Sequence, residues 1–187
     1  MNNKHQYQYL RKFYKNKKIL ITGATGFKGS WLAFWLFKMG AKVFTTGNNP
    51  NKNKNLFYGL GLEKKTNLRI FDIRNYDRLK KEIKKIKPNI IFHLAAQPLI
   101  LKSYIDPKST YEVNTVGTLN VLETCRNIKS INSIVCVTSD KCYESNYSTK
   151  GFREIDKLGG KDPYSGSKAS AEIIINTYYE SFFKNSK

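Results

Sequence analysis

Cysteine and histidine are scarce in this 187-residue sequence, with three of the first and two of the second. Cys125, Cys136 and Cys142 are odd in number and fall at no metal-ligand spacing, so free thiols in a reducing compartment are expected rather than a disulfide framework. His5 and His93 are too few for most zinc sites. Long apolar runs are missing too: the most hydrophobic stretch, W-L-A-F-W-L-F at 31–37, falls far short of the roughly 20 residues a membrane span needs. The N-terminus carries charge without an apolar core, which speaks against a secretory signal and makes the cytoplasm the expected location. Acidic residues are few, 14 against 33 lysines and arginines, for a formal net charge of +19. Such an excess suits a nucleic-acid or anionic-membrane partner, yet the lysines are spread along the chain. In K-K-E-I-K-K-I-K at 80–87 they fill the outer face of a helix whose inner face is Leu79, Ile83 and Ile86. A solvated face explains this better, and neither nucleic acid nor membrane is expected as a partner.

What remains is an ordinary globular composition, 40% apolar and 25% charged, long enough for one domain with a real core. Short apolar runs at 18–22, 41–46, 68–71, 89–96 and 133–137 read as strands. Helical patterns alternate with them: one from the glycine turn to Gly40, one from Asn75 to Pro88, one over about 108–127 and one from Tyr164 to Phe183. Strands alternating with helices predict an α/β fold, a Rossmann-like doubly wound parallel sheet. Residues 1–16 are expected as a tail and 17–187 as the nucleotide-binding domain.

Gly23, Gly26 and Gly29 form G-x-x-G-x-x-G where the first strand gives way to the first helix. Glycines there let the backbone approach a pyrophosphate, and the helix N-terminus offers unpaired N–H groups and partial positive charge. A dinucleotide is the expected ligand, against the alternative of a tight turn that binds nothing. The acidic residue that would bond the ribose is absent after the second strand, which ends in Thr45, Thr46 and Gly47, and Lys52 and Lys54 stand where a 2′-phosphate would be received. The choice between NAD and NADP therefore stays open on these residues. Asp72, past the third strand, suits either an adenine amino group or a loop cap.

Tyr164 and Lys168 are one helical turn apart and share a face. A lysine so placed favours the phenolate, and a phenolate takes the proton of an alcohol as hydride leaves its carbon. The same spacing recurs at Tyr14 with Lys18, Tyr76 with Lys80 and Tyr104 with Lys108, so context must choose. Only Tyr164 opens the helix after the fifth strand, at the end of the sheet where ligands bind.

T-S-D-K-C-Y at 138–143 follows that strand, and by itself reads as solvated loop. Taken with I-T-G-A-T-G-F-K-G-S-W-L, F-H-L-A-A-Q-P-L, V-N-T-V-G-T-L-N-V-L-E and G-G-K-D-P-Y-S-G-S-K, it resembles the N-terminal half of the CDP-glucose 4,6-dehydratases, extended short-chain dehydrogenase/reductases of nucleotide sugars. The resemblance implies an NAD-dependent lyase. Such an enzyme oxidises C4 of CDP-glucose, removes water across C5 and C6 and returns the hydride to C6, giving CDP-4-keto-6-deoxy-glucose for deoxysugar and O-antigen biosynthesis. It implies catalytic roles for Tyr164 as base at O4, Lys168 as its tuner, Ser139 as donor to that oxygen and Asp140, kept protonated by burial, as acid for the leaving hydroxyl. Lys141 stands where the related dTDP-glucose enzymes carry a glutamate base. It would act either as a desolvated base or as electrostatic stabiliser of the enolate, and the residues do not choose.

By the same resemblance the cofactor would lie against Gly23, Thr25, Gly26, Phe27, Lys28, Gly29, Asp72, Ile73, Leu94, Ala95, Ala96, Gln97, Asn114, Tyr164 and Lys168. His93 and Tyr143 suit either the site or ordinary packing. Members of the family are nearly twice this length, so a truncated sheet lacking its last strand and the substrate-binding subdomain is expected, from a parent that pairs as a homodimer or higher oligomer. Two other readings stand beside the dehydratase: a nucleotide-sugar 4-epimerase, which needs no Asp140 or Lys141, and a cofactor-binding remnant without turnover.

Overall fold

Where a tail was expected, a helix forms: α1 spans Asn3–Tyr14. Its half-buried side is set by Leu10 and Tyr14, one turn apart, and Tyr14 packs on the core that the first strand builds. The backbone N–H of Asn16 then donates to the Gly40 carbonyl at 2.9 Å, which ties the segment down. The computed structural model describes residues 3–48, 50–144 and 151–185, so two residues of the expected tail and Asn49 of the polar loop lie outside it. The chain divides into two units, one running to Leu94 with Ile128–Val135, the other comprising Ala95–Asn127 and the residues from Cys136 on.

In the first unit follow β1 (Lys18–Thr22), α2 (Phe27–Lys38), β2 (Lys42–Gly47), the short helices α3 (Leu56–Gly59) and α4 (Leu62–Lys65), β3 (Asn67–Ile70), α5 (Tyr76–Ile86) and β4 (Ile90–His93). With β5 (Ser133–Cys136) these strands make one sheet in the order β3-β2-β1-β4-β5, and the β1, β2, β3 and β4 pairings are parallel. This is the expected Rossmann-like α/β architecture. β1 is central and buried on both faces, with Ile19 and Ile21 wholly shielded and Leu20 nearly so. Each such side chain contributes on the order of 1.5–3 kcal/mol. Because the order reverses between β1 and β4, the carboxyl ends of these two strands flank the switch point at which such sheets bind ligands.

Helix α2 buries Gly29, Ser30, Ala33 and Leu36, one stripe of an otherwise aromatic helix, against the cluster of Ile19, Ile21, Val43 and Phe57. Helix α5 turns Leu79, Ile83 and Ile86 inward as its pattern predicts. Glu82 is buried beside them and answered by Arg78 at 3.1 Å and Arg69 at 3.6 Å. Asn75 caps this helix by accepting from the Arg78 N–H at 3.0 Å. Asn75→Ala is expected to cost about 1 kcal/mol in a urea unfolding measurement; no change would show that the cap is idle.

The second unit is helical: α6 (Ile100–Ile105), α7 (Pro107–Tyr111), α8 (Gly117–Cys125) and α9 (Pro163–Tyr178), the last continued by a π turn at Tyr179–Phe183. The single helix expected over 108–127 is in fact interrupted by a π turn at Glu112–Val116. The buried polar side chain of Asn114 sits in this wide turn and has its bonds elsewhere, which a regular helix would not favour. D-P opens helices here rather than merely turning: Asp106 and Asp162 each cap a helix whose first residue is proline. Among the described residues no helix is long and apolar enough to cross a membrane, and no group of metal-ligating side chains is gathered.

Candidate active site

In the first unit the glycine turn leaves β1 at Gly23, whose φ of 70° is the left-handed conformation that an L side chain resists. A Cβ on Gly29 would lie 2.7 Å from the Ala24 Cα and closer still to the Gly23 carbonyl oxygen. The helix and the turn therefore meet backbone to backbone. The Ser30 hydroxyl braces the turn by donating to the carbonyls of Ala24 and Gly26, at 3.1 and 2.8 Å. Thr25 donates to the Asn48 carbonyl at 3.2 Å, and its own carbonyl accepts from the Asn55 side chain at 2.9 Å. Helix α2 begins at this turn with no side-chain cap, and Phe27 and Lys28 are exposed. Bare backbone and an uncapped helix start form a cradle for an anion.

Neighbouring expectations divide. His93 is buried and shares a 2.7 Å hydrogen bond with Thr22, which the register places opposite it on β1, so its ring is packed at the strand end. Asp72 accepts from the Arg74 guanidinium, which holds its carboxyl below the usual carboxylate range, and from the Arg74 N–H at 2.9 Å. Asp72 thus acts as the loop cap, one of the two roles its position suits. Ile73 is buried beside it and Leu94 packs at the edge of the core. Lys52 lies over the Tyr58 ring at 5.6 Å.

In the second unit Asn114 is the hub of a buried network. Its side chain accepts from the Gln97 N–H at 2.8 Å and donates to the Gln97 carbonyl at 3.1 Å and to the Ser167 hydroxyl at 2.9 Å. Ser167 in turn donates to the Tyr164 carbonyl at 2.7 Å, and Thr115 donates to the Ser167 carbonyl. The Gln97 amide donates to Thr110 and to the Leu99 carbonyl. The expected Ala95-Ala96-Gln97 run is thus held to the first turn of α9 through Asn114. Ser167 and Thr115 escaped sequence reasoning, since a serine inside Y-S-G-S-K reads as helix filler.

Tyr164 and Lys168 are both nearly buried on α9. Lys168 Nζ donates to the Val137 carbonyl at 3.4 Å. Burial lowers its pKa, while the acidic groups of Cys136, Glu172 and Cys142 pull the other way. Burial also pushes the Cys136 thiol up to about 11, and all three cysteines are free.

The turn at 138–143 is built by Ser139, whose hydroxyl accepts from the Lys141 N–H at 3.2 Å and starts a 3₁₀ turn over Asp140–Cys142. Cys142 is buried beneath it. The side chains of Asp140 and Lys141 remain 65% and 55% exposed and stand 3.7 Å apart. The burial that would keep Asp140 protonated is not supplied by the described residues. A cleft of about 550 Å³ opens here, lined by Thr138, Ser139, Asp140, Cys142, Tyr143 and Glu172 among others. Tyr143 stacks on Phe152 with ring centres 5.3 Å apart. Glu172 was not foreseen, although K-A-S-A-E places it one turn beyond Lys168 on the same face.

Residues 20–184 match the model of the family described as GDP-mannose 4,6 dehydratase. The CDP-glucose 4,6-dehydratase of Salmonella typhimurium is 42% identical over 173 residues, 92% of this chain and 48% of that protein. Among solved structures, an epimerase from Methanothermobacter thermautotrophicus has a TM-score of 0.80 at 26% identity, covering 96% of this chain and 52% of that one. The UDP-glucose 4-epimerase of Thermus thermophilus in complex with NAD has a TM-score of 0.75 at 27% identity, over 88% and 51%. The chain spans about half the length of these relatives.

Proposed function

Since the chain belongs to the GDP-mannose 4,6 dehydratase family, we propose that the protein it represents is an NAD-dependent nucleotide-sugar 4,6-dehydratase whose substrate is CDP-glucose. The observation that carries this reading is the Ser139-Asp140-Lys141 turn, at the rim of a cleft in the same unit as the Tyr164 and Lys168 helix. The substrate follows from the 42% identity to the CDP-glucose enzyme.

Two features of the first unit support a cofactor there: Gly29 lets α2 pack backbone to backbone on the turn, and the uncapped start of α2 suits an anion such as a pyrophosphate. Gly23, Thr25, Gly26, Phe27, Lys28 and Gly29 would hold it, with Ile73 and Leu94 of the same unit as further contacts. Bound NAD supplies a hydride acceptor and later a hydride donor. Tyr164 takes the proton of the sugar O4, and Ser139 donates a hydrogen bond to that oxygen. Lys168, buried and ammonium-bearing, provides the positive charge one turn from the phenol. Asp140 delivers a proton to the hydroxyl leaving C6 once substrate covers it. The C5 proton passes either to Lys141 as a neutral amine or to water while the Lys141 ammonium stabilises the developing negative charge, and the exposure of Lys141 beside Asp140 favours the second. Asn114 reaches the reaction only through the first turn of α9.

The 4-epimerase reading draws on the solved-structure likenesses, both to epimerases. It leaves Asp140 and Lys141 without work, since epimerisation eliminates no water. The full-length protein, incubated with NAD and CDP-, UDP- or dTDP-glucose, is expected to form a 4-keto-6-deoxy sugar from CDP-glucose at least about tenfold faster than from the others, the low end of what differing pocket contacts discriminate. Formation of a galactose isomer without loss of water would overturn the reading in favour of epimerisation.

A further inference from the structure

Glu172 occupies a position that the proposed reaction leaves unused. It lies one turn beyond Lys168 and two beyond Tyr164 on α9, and its carboxylate accepts a hydrogen bond from the Thr138 hydroxyl. Thr138 is the residue immediately before Ser139, whose carbonyl and hydroxyl receive the Cys142 and Lys141 N–H groups, at 3.0 and 3.2 Å. The link therefore joins helix to turn at the turn's first residue. Asp140 and Lys141 make their bonds only with their neighbours in the turn among the contacts described. The far end of the turn is held by the Cys142 carbonyl, which accepts from the Gly159 N–H at 2.9 Å, and by the bridge of Tyr143 with Leu158, while at the near end the Glu172 link joins the turn's side chains to α9. Both Glu172 and Thr138 also border the cleft.

We propose that Glu172 is a positioning residue, the carboxylate that ties the turn bearing Ser139, Asp140 and Lys141 to the helix bearing Tyr164 and Lys168. Two features support the assignment. A hydrogen bond to a charged acceptor is stronger than a neutral one, and a half-buried carboxylate shields it from water. The same carboxylate is a counter-charge for buried Lys168, whose ammonium is otherwise penalised by desolvation. Threonine-to-carboxylate distance and charge placement thus come from one side chain. The tie stands on geometry; its consequence for turnover rests on the function proposed above.

Cys142, beneath the turn, reports on the tie, and Cys125, deep in the same unit, reports on unfolding. The chain is labelled with a maleimide under native conditions and read by peptide mass spectrometry. In Thr138→Val, which leaves the Glu172 charge in place, Cys142 is expected to label about tenfold faster than in the parent, the factor a lost charge-assisted hydrogen bond gives to local opening. Cys125 should stay unlabelled, and Thr138→Ser, which keeps the hydroxyl, should label like the parent. Equal Cys142 rates in Thr138→Val and parent, or Cys125 rising in step, would overturn the tie. In the full-length protein Thr138→Val and Glu172→Ala are then expected to lower kcat for dehydration about tenfold or more with KM within about twofold, because a small misplacement of catalytic groups acts on the chemical step. Glu172→Gln, whose amide oxygen still accepts, is expected to recover part of that loss. An unchanged kcat in Thr138→Val overturns the positioning role. Faster Cys142 labelling in a protein whose parent turns over no nucleotide sugar leaves the tie standing and removes the dehydratase reading.

Discussion

Tyr164→Phe is expected to lower dehydration by the full-length protein by about 10²- to 10⁴-fold, the range that a positioned acid–base group contributes. The ring is retained, and a phenylalanine fills the same nearly buried position on the first turn of α9. A swap that conserves volume to this degree costs less than about 1.5 kcal/mol. The fold should therefore survive, circular dichroism should be unchanged, and NAD affinity should stay within a few-fold. The loss must then appear in kcat. Turnover within tenfold of the parent would show that the proton of O4 is taken by another group, and would shift attention to Ser139. The three other pairs of the same spacing supply the control. Lys80 lies over the ring of Tyr76 at 5.2 Å, both half-exposed on α5 in the first unit, and Tyr76→Phe is expected to leave both activity and stability as they were.

Gly29→Ala is the second large effect, and it can be read on the chain as it stands. The new methyl would sit 2.7 Å from the Ala24 Cα and closer still to the Gly23 carbonyl oxygen. Neither contact is the end of a flexible side chain, so the turn and α2 must separate. Overpacking of this kind costs about 1–3 kcal/mol, and it displaces the turn that would receive the pyrophosphate. A fall in the urea midpoint and a loss of NAD binding of at least about tenfold are expected together, since both follow from one displacement. Gly59→Ala gives the contrast. A Cβ there meets nothing within 4 Å in the short helix α3, and alanine lowers the entropy of the unfolded chain, so stability should be unchanged or slightly raised. Equal losses in the two variants would mean that the close approach at Gly29 is not real.

The strands were legible because β-branched runs ended by turn residues have few other uses. All five strands form within a residue or two of their expected places, apart from the 89–96 run, of which only Ile90–His93 pairs. The remainder, Leu94 to Ala96, continues as loop, and Gln97 just beyond it spends its backbone N–H and carbonyl on Asn114 rather than on a strand. The helices were less legible. A single helix over 108–127 is what the periodicity predicts, and the π turn that breaks it is fixed by a polar side chain bonding to residues 17 and 53 positions away. No local pattern carries that information. The same is true of α1, whose apolar residues are too sparse for a confident helix until Tyr14 finds the core and Asn16 finds Gly40.

For the site, identity was local and connection was not. The glycine turn, the Tyr164 and Lys168 pair and the Ser139-Asp140-Lys141 run were readable because each chemistry needs particular residue types at short spacing, within one turn of helix or one loop. The sequence by itself determined the sheet, the turn that can accept a dinucleotide and the functional groups available for acid–base chemistry. Only the tertiary structure decided that His93 is packed against Thr22, that Asp72 is held by Arg74, that Asp140 and Lys141 stand exposed, and that Glu172 grips Thr138. The physical reason is range: backbone preference and hydrophobic period act over a few residues, whereas burial and hydrogen-bond partners are set by segments tens of residues away, and these decide which of two chemically able groups is free to act.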